Sequence, residues 1–387
     1  MNHKHIYDVI VIGAGSVGVP TAWALADQGV RTLVLDRFAS PGQGSNKAAI
    51  GGIRATHSDP AKIRLGQRSL AIASTWADRY GHDIEWTTGG YAFVAYGERE
   101  EKTLKTLLDV QKQYELNIDW LTAGELLDVV PSLNPEQLIG GTFSPQDGYC
   151  STLRFSHAVH DVAEQHGATF RFNEPVLSID LQQDAIRGVT TSQGSYMAPV
   201  VINAAGPWAK EIGALVGIDH PVMPDSHEAG ITEPVARFLG PMLVDTCPAP
   251  GSANYYFYQL ATGQIVFCIT PRPNLWGDDR RETSTFLPMV SRRMIHLVPR
   301  LQYIRVRRTW RGLYPMTPDG SPLVGWSQEI DGYLMAIGMC GQGFMLGPGL
   351  GELVARMVTE SNLSPEDQEV LEILSPYRTF ASQEALQ

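Results

Sequence analysis

The 387-residue sequence predicts an α/β fold, α+β overall: a domain built on a parallel sheet, interrupted by an inserted, mainly antiparallel β domain. Three observations predict it. The chain opens with an apolar run, a glycine turn, a helical stretch and a second apolar run; further strand–turn–helix passages stand near 199–208 and 334–358; and strand-rich segments fill the intervals.

The opening stretch runs from Asp8 through Gly13-Ala14-Gly15-Ser16-Val17-Gly18, then through a helical segment to Thr32 and Asp36. Together these make a βαβ unit of roughly thirty residues. Gly13 permits the sharp exit from the strand, Gly15 admits a pyrophosphate to the backbone, and Gly18 lets the helix pack on the sheet. A helix beginning near Ser16 and Val17 would point its positive end at phosphates. Asp36 falls 21 residues after Gly15, where a carboxylate can accept hydrogen bonds from ribose hydroxyls. Strand, helix and acid occur in register, so the segment predicts dinucleotide binding.

After Arg37 comes a loop of small residues containing Ser45, Asn46, Ala48, Ile50 and Arg54, with nothing bulky to keep its backbone from a bound cofactor. A helix is predicted over 60–80, β structure over 86–96 and an amphipathic helix over 98–116. Thr122 to Glu125 fits a capping box, and Pro131 ends the short helix that follows. These elements do not continue a βαβ series and read as an insertion. The chain returns near Gly148 with a helix over 155–166, a strand at 169–172 and a meander from Val176 to a buried strand ending at Asn203. Ala205, Gly206 and Trp208 form a second close-approach turn. The interval 218–314 is strand-rich, with a hairpin predicted between 254–259 and 264–268. A last strand leads into Gly341-Gln342-Gly343-Phe344-Met345 and a helix to about Val358.

Composition bounds the reading. Hydrophobic content of 43% and charged content of 18% are those of a globular enzyme. A net charge of −11 and no basic run argue against a nucleic-acid partner. Four scattered cysteines form no CxxC pair, which indicates reduced thiols and neither a disulfide framework nor a zinc site. His157 and His160 lack a third ligand to make a metal pair, and a solvated helix face is the simpler reading. The first residues lead straight into a strand, and no apolar run reaches the ~20 residues of a membrane span, so cytoplasmic residence is expected.

NAD and FAD both fit the opening motif. Three glycine-rich turns spread over the chain favour FAD, whose ring needs backbone contacts from distant segments. With these residues in hand, the sequence resembles the D-amino-acid-oxidase-like superfamily of FAD enzymes, in the group of sarcosine oxidase β subunit, monomeric sarcosine oxidase, glycine oxidase and proline dehydrogenase β subunit. The carriers are the opening turn, the Asn203 to Trp208 turn, the string from Trp310 and Gly312 through Thr317-Pro318-Asp319-Gly320 to Gly325, and the Gly341 to Met345 turn.

The resemblance implies a Rossmann-like FAD-binding domain at 1–82, 147–217 and 318–387, and a substrate domain at 83–146 and 218–317. It implies FAD contacts at Gly13, Gly15, Ser16, Val17, Gly18, Asp36, Arg37, Ser45, Asn46, Ala48, Ile50, Val176, Ala205, Gly206, Trp208, Gly312, Gly341, Gly343, Phe344 and Met345. Gly312 stands where monomeric sarcosine oxidases carry a flavin-linking cysteine, so non-covalent FAD is expected. Met345 replaces a lysine of those oxidases, and without that ammonium to stabilise superoxide a dehydrogenase is expected rather than an oxidase.

The implied reaction is oxidation of the C–N bond of a small amino acid or N-methyl amine by hydride transfer to flavin N5. Arg54 matches a carboxylate-binding arginine, the alternative being a loop or phosphate anchor. Tyr256 and Tyr258 alternate onto one strand face and match substrate-facing tyrosines, the alternative being ordinary sheet aromatics. His227 and His57 are further candidates, each with a structural alternative. Two rival functions stand: an FAD-dependent 2-hydroxy-acid dehydrogenase, and a non-catalytic flavin-binding subunit of a larger complex. A partner subunit or separate electron acceptor is also possible on this reading.

Overall fold

The computed structural model describes residues 5–380 and Leu386. The reading of the N-terminus as leading directly into a strand falls partly on residues 1–4, outside the described residues.

Two large sheets organise the chain. The six-stranded sheet has the order Leu323–Trp326, Tyr333–Ile337, Val200–Asn203, Val9–Ile12, Thr32–Leu35 and Thr169–Arg171. Its pairings are parallel except for the hairpin between Leu323–Trp326 and Tyr333–Ile337. Layers cover both faces, which is why Val9–Ile12 and Thr32–Leu35 are buried at every position and read as unbroken apolar runs. On one face the helices Gly18–Asp27, Pro60–Tyr80, Thr152–Gln165 and Gly343–Thr359 enclose a core that includes Trp23, Trp76, Phe155 and Leu350. On the other, Ile10, Leu33 and Ile202's neighbour Val201 pack against Ile179, Val189 and Tyr196 of the three-stranded meander 176–197.

Glycines bring the first and last helices together. A Cβ at Gly347 would stand 1.9 Å from the Ser16 carbonyl oxygen, and one at Gly351 would stand 2.6 Å from the Pro20 carbonyl carbon. No larger residue fits either notch. The opening helix starts at Gly18, two residues later than the sequence reading, because Ser16 and Val17 form a turn.

The eight-stranded sheet has the order Val306–Met316, Met223–Thr232, Ile265–Pro271, Ser252–Gln259, Met242–Asp245, Tyr91–Ala95, Gly140–Ser144 and Asp119–Thr122. One pairing, Met242–Asp245 with Tyr91–Ala95, is parallel, and the others are antiparallel. The expected hairpin is present as Ser252–Gln259 against Ile265–Pro271. β structure expected over 86–96 is present as the strand Tyr91–Ala95, after Gly90 turns the chain with φ +79°, and as a single bridge from Thr87 to Tyr149. Thr122 and Glu125 form the expected capping box on Ala123–Val129. The helix expected over 98–116 ends at Gln113, since Glu115 takes a left-handed conformation with φ 60°.

Candidate active site

A cavity of about 350 Å³ is walled by residues of both large sheets and by the turns that open the first and last helices. One end is formed by Gly13, Gly15, Ser16 and Val17. Gly13, at φ +110°, brings its Cα against the Ala204 carbonyl, so close that a Cβ would lie 2.5 Å from that oxygen. Gly15 has open space where a Cβ would be. Gly18 does not border the cavity; a Cβ there would stand 1.8 Å from the Gly13 carbonyl oxygen, so its bareness closes the turn rather than admitting a ligand.

Asp36 borders the same end. Its two oxygens accept from the backbone N–H groups of Ala14 at 2.6 Å and Phe38 at 2.7 Å. Burial raises its carboxyl above the ordinary value against the pull of those two donors. Arg37 lies 4.4 Å over the Trp208 ring, and Phe38 meets that ring edge-on, so these residues cap the cavity's outer end. Val176, Ala205 and Gly206 line one side, and Ser45, Asn46, Ala48 and Ile50 line the other. The small-residue loop is held in place by the Ser45 hydroxyl donating to the Leu313 carbonyl at 2.7 Å and by the Trp310 indole N–H donating to the Ala48 carbonyl at 2.8 Å.

The inner end is formed by Gly312, Gly341, Gly343, Phe344 and Met345 below, and by His227, Tyr256 and Tyr314 above. Gly341, at φ +82°, rests on the Tyr314 ring, where a Cβ would meet ring carbon at 2.1 Å. A Cβ at Gly312 would stand 2.7 Å from that of Ala48. The hydroxyls of Tyr256 and Tyr314 are 2.8 Å apart. Burial raises both phenols well above their ordinary values, and raises the thiol of cavity-lining Cys268 too.

His227 Nε2 lies 3.2 Å from Asp225 Oδ2, and that carboxylate also takes the Leu275 N–H and the Asn274 side-chain amide. Burial lowers the imidazole below its ordinary value, and the opposing pull of Asp225 does not restore it. His227 Nδ1 is buried without a protein partner among the described residues.

Three candidates for the inner end stand outside the cavity lining. Tyr258 does not border the cavity: it is buried, and its hydroxyl donates to the Ile50 carbonyl, so it anchors the small-residue loop. Alternation put both tyrosines on one face, but loop backbone covers one of them. Arg54 also lies behind the lining. The residue is 5% exposed, and its guanidinium donates to the carbonyls of Thr56 and Leu386, the latter at 2.6 Å, and stands 5.4 Å over the Phe93 ring. His57 is fully buried, with Nδ1 3.3 Å from Arg54 Nη1. Tyr91, Ala229, Met242, Cys268 and Tyr314 border the cavity and were not singled out from sequence as site residues. Only Tyr314 carried a signal, through its place in the string that begins at Trp310.

FAD suits this site. The opening and closing helices begin at the cavity wall without side-chain caps, which leaves their positive ends toward a ligand, and Gly15 offers bare backbone there. The first pair of turns can hold the pyrophosphate, and the N-terminus of Gly343–Thr359 faces the inner end, where negative charge on a reduced ring would fall. Among the described residues, no group of three or more His, Cys, Asp and Glu could hold a metal ion, and no helix is long and apolar enough to cross a membrane.

Fold and cavity define a dinucleotide-binding oxidoreductase. The chain belongs to the FAD-dependent oxidoreductase family, whose model, described as "DAO: FAD dependent oxidoreductase", matches residues 8–357. It is 29% identical over 363 residues to glycine oxidase of Geobacillus kaustophilus, covering 92% of this chain and 93% of that one. It is 26% identical over 368 residues to human mitochondrial sarcosine dehydrogenase, covering 91% of this chain and 39% of that one. Among solved structures, L-proline dehydrogenase from P. horikoshii superposes with a TM-score of 0.89 at 30% identity, over 97% of this chain and 98% of that one. The protein is therefore an FAD-dependent oxidoreductase.

Proposed function

We propose that this enzyme oxidises the C–N bond of a small amino acid or N-methyl amine, with FAD held non-covalently, and that it passes the electrons to an acceptor other than oxygen. The reading is carried by the inner end of the cavity, where Tyr256, Tyr314 and His227 roof the closing turn. Similarity to glycine oxidase, sarcosine dehydrogenase and L-proline dehydrogenase supports the substrate class. Bound FAD supplies the two-electron acceptor. The chain's residues orient the carbon–hydrogen bond beside the nitrogen and exclude water from it, a positioning task.

Neutral phenols and a neutral imidazole suit that task, since they present hydrogen-bonding groups without a second cation near the substrate's nitrogen. Arg54 is the carboxylate's partner in this reading. Its Nη2 already serves a carbonyl oxygen, that of Leu386, and a substrate carboxylate reaching the guanidinium would take that oxygen's place. Met345 at the closing turn supports a dehydrogenase, and the tight Gly312–Ala48 contact leaves no room for a linking side chain.

Anaerobic mixing with sarcosine, proline, glycine and 2-hydroxyglutarate tests the reading through bleaching of the flavin. Bleaching by an amine substrate supports it; bleaching by the hydroxy acid alone favours a 2-hydroxy-acid dehydrogenase, and no bleaching despite stoichiometric FAD favours a non-catalytic subunit. Acid precipitation should release the yellow colour into the supernatant.

A further inference from the structure

A buried carboxylate that the reaction does not itself use stands beside Arg54. Asp147 is 1% exposed. Its Oδ1 accepts from the Ala55 N–H at 3.1 Å and its Oδ2 from the Thr56 hydroxyl at 2.8 Å. Its own carbonyl accepts from the Gly90 N–H at 2.8 Å, next to cavity-lining Tyr91. The carbonyl of Thr56 in turn receives Arg54 Nη1. One carboxylate thus grips the two residues after Arg54, and the second of them carries the acceptor on which the guanidinium rests. From the other side, Gly66 of the Pro60–Tyr80 helix leaves room for this segment, since a Cβ there would stand 2.6 Å from the Arg54 carbonyl oxygen.

We propose that Asp147 is the positioning residue for Arg54: it fixes the guanidinium's direction through Thr56 and so sets the affinity for the substrate's carboxylate. The inference rests on Arg54 being the carboxylate's partner. Asp147 does not reach the cavity lining, and its side chain holds the Arg54 segment by Ala55 and Thr56. Burial pushes its carboxyl up to about 6, opposed by Thr56, Ala55, Ser144 and the charge of Arg54. The other titratable groups nearby are the Tyr91 phenol and the Cys150 thiol, both raised by burial and both neutral across the working range, and His57 on the far side of Arg54. Asp147 is the carboxylate of this cluster, and its protonation near pH 6 would loosen the segment it holds.

Positioning and simple charge predict opposite results. If Asp147 acted only through its field, removing the charge would relieve repulsion of an anion and tighten binding. If it positions Arg54, removing it weakens binding. The test is acetate titration of the holoenzyme, followed through the flavin absorbance between pH 5 and 8, for the wild type, Asp147→Asn, Thr56→Val, Thr56→Ser and Arg54→Gln.

We expect Asp147→Asn to raise the acetate Kd about tenfold at pH 7.5, the size of one lost hydrogen bond to a charged group. The flavin spectrum should be unchanged, and the wild-type weakening below about pH 6 should be absent. Thr56→Val should act in the same direction and Thr56→Ser should restore affinity, which keeps the test open if Asp147→Asn does not fold. Tighter acetate binding in Asp147→Asn, or wild-type affinity in both Asp147→Asn and Thr56→Val, would overturn the proposal. An unchanged Kd in Arg54→Gln would instead overturn the assignment of Arg54, a result distinct from the other two.

Discussion

The imidazole of His227 lies flat against the phenol of Tyr314, with ring centroids 3.7 Å apart and planes 17° from parallel. Tyr314 is simultaneously the cushion for Gly341 and the hydrogen-bond partner of Tyr256. One side chain therefore links strands of the eight-stranded sheet to the turn that starts the last helix.

From this follows a coupling between the two phenols. Tyr256→Phe and Tyr314→Phe each take the shared partner from the other's hydroxyl, so the double substitution should cost less than the sum of the singles. A double-mutant cycle on the rate of anaerobic flavin reduction should return a coupling of about 1 kcal/mol. Strict additivity would show that the contact carries no weight in the reaction.

The two inner glycines of the opening turn should fail differently. Gly18→Ala forces a methyl group against the Gly13 carbonyl and should lower the melting temperature of the apoprotein. Gly15→Ala meets nothing in the protein and should leave the apoprotein's melting unchanged while weakening FAD binding on the order of tenfold or more. Flavin fluorescence titration beside apoprotein melting curves separates them, and a Gly15→Ala protein with normal FAD affinity would contradict the placement of the pyrophosphate.

Arg378 holds Asp319 through two 2.8 Å hydrogen bonds and also donates to the carbonyls of Ser321 and Pro322. Burial raises the Asp319 carboxyl, yet Arg378, Ser321 and Thr317 outweigh it and keep the group below its ordinary value. Arg378→Ala leaves a nearly buried carboxylate uncompensated and should cost about 3 kcal/mol in urea unfolding. A loss below about 0.5 kcal/mol would reduce this clamp to a surface ion pair.

Acid should destabilise the fold through His220. Burial pushes its imidazole down to about 4, and its Nε2 lies 3.0 Å from the Tyr333 hydroxyl, which also receives the Asn203 amide. The unfolded imidazole titrates near 6.5, so the unfolded chain binds the extra proton first. Stability is then full above about pH 6.5 and falls toward pH 4, by about 3 kcal/mol at most from this group. Melting temperatures across that range should fall less steeply in His220→Gln, and an identical slope would refute the assignment.

Much of the fold is legible because the central parallel strands Val9–Ile12 and Thr32–Leu35 are buried throughout and the opening glycine turn has a steric reason readable from one chain. Gly13 and Gly18 speak for themselves in this way. The active-site residues were less legible. Tyr256 and Tyr258 are equivalent by alternation, and only the Ile50 carbonyl, some two hundred positions away, tells them apart. Tyr91 and Met242 border the cavity because their strands pair in parallel, a register with no local signature. Asp147 carries no local signal, because only the folded chain sets the segment after Arg54 against it.

The notch at Gly347 that receives the Ser16 carbonyl has a consequence for how the protein is made. The opening turn is synthesised early, yet its partner helix emerges more than three hundred residues later. A ribosome-bound chain therefore carries an unclosed notch through most of this stretch of synthesis, and the contact forms only once the Gly343–Thr359 helix has emerged.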